Sequence, residues 1–160
     1  MSEVMDGLAN PEGLVSRALW QTQHAVEQAC DDALASLGMT TTLAGTLAFL
    51  AQRPGQSAAD LARRARVAPQ SVAKAVARLD QLGMVRRESH PVHGRIVRLY
   101  LTDTGRDTLE AATAVIGQVE QDLCGGFDAR ARGRLVDQLQ RLRERAEQLR
   151  AAGSGAPKGG

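Results

Sequence analysis

A mainly helical fold carrying one small β-hairpin is what this sequence predicts, on three observations. Aromatic residues make up only 2% of the 160 (Trp20, Phe49, Tyr100 and Phe127) while apolar residues reach 43%. The core must then be built from Leu, Val and Ala, which suits interlocking helices better than an aromatic-rich β-sandwich. Apolar residues recur at steps of three and four over most of the chain, and the step changes to two after Gly83.

The elements follow in order. Asn10-Pro11-Glu12 opens a first helix, with Asn as N-cap and Pro at the first helical position. Leu14, Val15, Leu19, Val26, Cys30, Leu34 and Leu37 continue at near-helical spacing to Gly38. Such a helix is long for a chain of this size, so it is expected to pack on more than its own chain. A second helix covers 41–53 and stops at Pro54-Gly55. Ser57 and Asp60 form a Ser-x-x-Asp start box for a short helix to about Arg66. Val67-Ala68-Pro69 is a tight break, and Pro69 opens a helix to residue 82. Its Val72, Ala75, Val76, Leu79 and Leu82 share one face, and Gln70, Ser71, Lys74, Arg78 and Gln81 the other. Gly83 ends it. Two short helices joined by a few residues, the second polar and basic outside, make a helix-turn-helix.

Residues 84–88 and 95–101 read as strands around a connection holding Pro91 and Gly94. A hairpin directly after a helix-turn-helix is a wing. Thr102 or Asp103 then caps a long helix striped by Leu109, Ala112, Ile116, Val119 and Leu123, which Gly125-Gly126 breaks. Asp128 caps a last helix with Leu135, Leu139, Leu142, Ala146 and Leu149 on one stripe. The expected organisation is a flexible N-terminus (1–10), a helical dimerisation region (11–37 and 103–150), a winged helix-turn-helix lobe (38–102) and a disordered tail (152–160). The dimer follows from area: three long amphipathic helices carry more apolar stripe than so small a lobe covers.

Charge is unevenly spread. Residues 1–55 hold two basic and six acidic side chains, and residues 102–160 hold nine of each. Residues 56–101 hold nine basic side chains against Asp60, Asp80 and Glu88, so the positive charge of the chain belongs to its middle third. A local excess of that size fits a polyanion, because each Lys or Arg set on a phosphate releases counterions; a solvated basic face has the same composition. Other classes are excluded more directly. The longest apolar run, residues 43–51, is interrupted by Gly45 and Thr46 and falls far below the ~20 residues of a membrane span. Glu3 and Asp6, with no basic cluster beside them, do not make a secretory signal. Two cysteines are too few for a disulfide framework, which indicates the reducing cytoplasm.

The outer face of the 69–82 helix suits the major groove of double-stranded DNA. Gln70 bonds adenine in bidentate fashion, and Ser71 meets either kind of base edge or anchors a phosphate at the helix N-terminus. Lys74 and Arg78 continue that face toward guanine edges or phosphates. Arg95 at the hairpin tip is the candidate for minor-groove insertion, and Arg86, Arg87 and Arg98 on the strands are candidates for phosphate contact. His90 and His93 lack a nearby Asp, Glu or Cys and read as polar wing residues rather than a metal site. Cys30 falls among apolar helix positions, a small buried hydrophobe. Cys124 sits at a helix C-terminus, whose negative pole disfavours thiolate. Trp20, His24 and Phe49 are the candidates for lining an effector pocket, with core or dimer packing the alternative for Trp20. No catalytic order, Gly-rich phosphate loop or cofactor motif is present, so neither an enzyme nor a cofactor is expected.

The runs Leu37-Gly38-Met39-Thr40, Ala59-Asp60-Leu61-Ala62, Arg78-Leu79-Asp80-Gln81-Leu82-Gly83-Met84-Val85-Arg86-Arg87 and Leu101-Thr102-Asp103-Thr104-Gly105 together resemble the MarR family of winged-helix regulators. The resemblance covers roughly residues 11–150. It implies a homodimer formed by the first and last two helices, a repressor acting on a palindromic operator. It also implies that small phenolic or other aromatic effectors bind between the dimer helices and the DNA-binding lobe. By position, the recognition contacts fall on Gln70, Ser71, Lys74 and Arg78, and the wing-tip arginine on Arg95. The family's wing often reads Asp-x-Arg, and here His93 stands at the acid's position. A winged-helix module for protein contacts, without DNA binding, is the alternative; the charge excess of residues 56–101 argues against it.

Overall fold

The computed structural model describes residues 15–89 and 97–154. The expected start of the first helix, the wing tip with His90, His93 and Arg95, and residues 155–160 lie outside the described residues.

Helix α1 (Val15–Leu34) passes into a single 3₁₀ turn (Ala35–Leu37) that Gly38 ends in the left-handed conformation at φ 64°. Helix α2 (Thr41–Gln52) starts at Thr40, whose hydroxyl accepts from Leu43 N at 3.3 Å, while Asp31 on α1 accepts from Thr41 N at 2.7 Å. The Ser57–Asp60 box forms as the spacing predicts. Ser57 Oγ accepts from Asp60 N, Asp60 Oδ2 accepts from Ser57 N, and α3 runs Ala58–Ala65. Arg66 closes α3 at φ 56°, a left-handed position that L-residues other than Asn and Asp rarely take. Helix α4 (Pro69–Gln81) follows with proline in its first turn.

Strands β1 (Val85–Ser89) and β2 (Val97–Leu101) pair antiparallel, with Val85 opposite Leu101 and Ser89 opposite Val97. A feature the periodicity does not carry is a bridge on the far edge of β2. Gly55 N donates to Leu99 O at 2.9 Å and Leu99 N to Gln56 O at 3.0 Å, so the link between α2 and α3 lies along the wing as a rudimentary third strand. Helix α5 (Asp103–Leu123) is capped by Thr102, whose hydroxyl accepts from Gly105 N, and α6 (Ala129–Ser154) by Asp128, which accepts from Ala131 N. Helix α6 continues to Ser154, past the end expected at residue 150 and into the first residues of the expected tail.

The chain divides into two compact units, Met1–Val119 and Glu120–Gly160, the division falling within α5. The core of the first unit gathers Leu34 from α1, Leu43, Leu47 and Leu50 from α2, Leu61 from α3, Val72, Val76 and Leu79 from α4, and Val85, Leu99 and Leu101 from the hairpin. Ala112 closes it from α5. Leucine dominates because aromatics are scarce, and each fully buried leucine contributes about 1.5–3 kcal/mol. Gly105 brings α5 hard against the start of the wing: a Cβ there would lie 2.1 Å from Met84 O. Thr102 ties the same point, its N–H donating to Met84 O and its hydroxyl to Gly83 O. The second unit is the last turn of α5 and α6. Leu135, Val136, Leu139, Leu142 and Leu149 are all exposed on α6. Val15, Leu19 and Trp20 are likewise exposed on α1. No single helix among the described residues is long and apolar enough to cross a membrane.

Candidate nucleic-acid interface

Helix α4 divides as its spacing requires. Val72, Ala75, Val76 and Leu79 are buried and Leu82 half-buried, while Gln70, Ser71, Lys74, Arg78 and Gln81 are exposed on one outward face. Ala73 and Ala77 are exposed as well, keeping the outer face slim between its polar side chains, a detail that binary patterning passes over. The buried leucine and valines lock the helix against α2 and α3, so its outer side chains project from a rigid support.

The middle third's acids are all engaged. Asp60 is bonded to Arg63, Asp80 to Arg87 (2.8 Å) and Glu88 to Arg86. The remaining six cations of residues 56–101 therefore carry the net charge of that segment. Among them Arg64 caps the C-terminus of α2, donating to Phe49 O at 3.2 Å and bonding Gln52, with its guanidinium 5.0 Å from the Phe49 ring centre. Lys74 and Arg78 have no ion-pair partner among the described residues and stand exposed on α4. The hydrogen bonds from the Ser57 hydroxyl and N–H, ahead of the contribution of Arg63, hold the Asp60 carboxyl below its usual range against the opposing effect of burial.

The strand arginines separate. Adjacent residues of a strand point to opposite faces, so Arg87 shares a face with Leu99 and reaches Asp80 on α4. Arg86 and Arg98 share the other face, with Arg86 4.6 Å from the Tyr100 ring centre. Parity along residues 86–87 carried this signal in the sequence. Arg95 lies outside the described residues.

The three expected effector residues stand on two elements, Trp20 and His24 on α1 and Phe49 on α2. Phe49 lines a groove of about 320 Å³ between α2, α3 and α4, together with Gly45, Leu61, Val67 and Ser71. Trp20 and His24 stack on one another along α1, ring centres 5.9 Å apart and 8° from parallel, and neither lines that groove. Cys30 is buried. The Cys124 thiol is pushed up by desolvation first and then by its hydrogen bond to Glu120. Among the described residues no group of three or more His, Cys, Asp and Glu could hold a metal ion.

A family model described as MarR family matches residues 37–96. The HTH-type transcriptional repressor Rv2887 of Mycobacterium tuberculosis is 36% identical over 109 residues, which cover 68% of this chain and 73% of that protein. Its crystal structure in complex with DNA is similar at a TM-score of 0.69 and 26% identity, covering 82% of this chain and 98% of that one. Its complex with salicylic acid is similar at a TM-score of 0.67 and 27% identity, covering 82% and 97%.

Proposed function

We propose a function from one premise: this chain belongs to the MarR family. It acts as a homodimeric, sequence-specific DNA-binding transcriptional repressor, released from its operator by a small aromatic ligand. The observation that carries the reading is the outer face of α4, where Gln70, Ser71, Lys74 and Arg78 stand exposed on a buried apolar support and the two cations are free of ion pairs among the described residues. Gln70 and Ser71 read base edges in the major groove, and Lys74 and Arg78 meet guanine edges or phosphates. Arg87 and the wing-tip Arg95 add backbone and minor-groove contacts. The winged lobe of residues 38–102 is the DNA-binding part. Helices α1, α5 and α6 form the dimer, which covers the leucines exposed on α6 and the apolar residues exposed on α1.

The reading is supported by the similarity to Rv2887, a repressor solved both with DNA and with salicylic acid. A gel shift with duplex DNA from upstream of the protein's own coding region, with and without salicylate, tests it. Retardation of the duplex that salicylate reverses is expected. Absence of any duplex binding overturns the reading in favour of a protein-contact module.

A further inference from the structure

We propose that Ala77 is a specificity-determining residue of the DNA interface and that its methyl group reads the C5-methyl of a thymine in the major groove. The proposal rests on the DNA-binding reading above and names one base contact within it. The buried side chains of α4 fix which line of the helix faces outward. Val72, Ala75, Val76 and Leu79 all belong to the core. At about 100° per residue, the line opposite their mean direction passes within about 30° of Gln70, Lys74, Ala77 and Gln81, all exposed. Ser71 and Arg78 lie about 70–90° to one side of that line, where Ser71 also lines the groove against α2 and α3. Ala73 and Asp80 lie about 70–90° to the other side, where Asp80 bonds Arg87 of the wing at 2.8 Å. The flanks therefore turn toward neighbouring elements, and the row from Gln70 to Gln81 is the part of α4 that enters a groove deepest.

Ala77 is the one apolar member of that row. Lys74 precedes it by three positions and Gln81 follows it by four, so both are its neighbours on the helix surface. Two long polar side chains with a single methyl group between them make a notch with polar sides and an apolar floor. The thymine methyl is the apolar group that base edges present in the major groove, and it complements such a notch. Methyl set against methyl excludes water from both. A polar base edge set against Ala77 loses water and gains no hydrogen bond in return. A longer side chain at position 77 would also hold the helix away from the bases that Gln70 reaches. The buried support beneath α4 keeps this row in place, so the notch is formed before DNA arrives.

The test starts from the duplex that the full-length protein selects from a pool of random sequence. Each thymine of that duplex is replaced in turn by deoxyuridine, which keeps the base pair and removes only the methyl group. Affinities are read by fluorescence anisotropy at one fixed salt concentration. At least one replacement in each half-site should weaken wild-type binding about fourfold, the worth of one buried methyl group. In Ala77→Gly and Ala77→Ser the same replacement should have no effect, while the dependence of affinity on salt stays that of the wild type because no phosphate contact is lost. The serine variant carries the test if glycine loosens the helix, which its melting temperature reports. Equal binding of thymine and uracil duplexes at every position overturns the proposal. So does a methyl dependence that survives both substitutions, or a selected sequence without thymine in its half-sites. Those outcomes leave the regulator standing, whereas a pool from which no sequence is enriched refutes sequence-specific binding and this contact with it.

Discussion

Substituting Gly105 by alanine should destabilise the protein even though it improves helix propensity. In an open helical position Gly→Ala stabilises by about 0.5–1 kcal/mol. At Gly105 the new methyl would sit 2.1 Å from Met84 O and 3.0 Å from Met84 C, both backbone atoms, where contacts under 3.0 Å are essentially never found. Relief requires α5 and Met84 to part by about an ångström, stretching the bonds that Thr102 makes to Met84 O and Gly83 O. Two weakened hydrogen bonds cost about 1 kcal/mol each and overpacking a further 1–3 kcal/mol. After the propensity gain the net loss is about 2–4 kcal/mol. Gly117 on the same helix supplies the control, because a Cβ there meets nothing within 4 Å, and its alanine variant should gain up to about 1 kcal/mol. Urea unfolding at one fixed protein concentration reads both, with midpoints moving in opposite directions and the slope unchanged. Equal stabilisation by the two alanines would refute the close approach.

Other outcomes follow from the same structure. Asp60→Asn should destabilise the protein at pH 7 by about 1 kcal/mol through the weakened cap. The folded carboxyl titrates below the ordinary aspartate value of 3.8, so the wild type's advantage is complete above that pH and disappears as pH falls through the folded value; melting curves from pH 7 to pH 2 should therefore converge, and parallel curves would count against the capping box. Leu139→Glu combined with Leu142→Glu places charge among the exposed leucines of α6 and should shift sedimentation from dimer to monomer, while an unchanged dimer would locate the interface elsewhere.

What the sequence made legible was whatever repeats. The faces of α4 emerged because Val72, Val76 and Leu79 recur at helical steps, and the start of α3 because Ser57 and Asp60 carry a local capping chemistry. Contacts between distant segments have no such period. The Gln56–Leu99 bridge is one pair of residues, the Asp80–Arg87 bond depends on where β1 leaves α4, and the Gly105–Met84 approach becomes apparent only once α5 is docked. The effector residues illustrate the limit. Helix positions single out Trp20, His24 and Phe49 but carry no signal of which faces meet, and the structure sets Phe49 in the α2–α3–α4 groove while Trp20 and His24 stack along α1.

The most direct test of the central claim is the salt dependence of duplex binding by the wild type and by Lys74→Ala with Arg78→Ala. If these cations neutralise phosphates, log affinity falls linearly with log salt, and the double variant lowers the slope by about two, one for each lost phosphate contact. Binding that is insensitive to salt, or a double variant with the wild-type affinity and slope, would contradict the account.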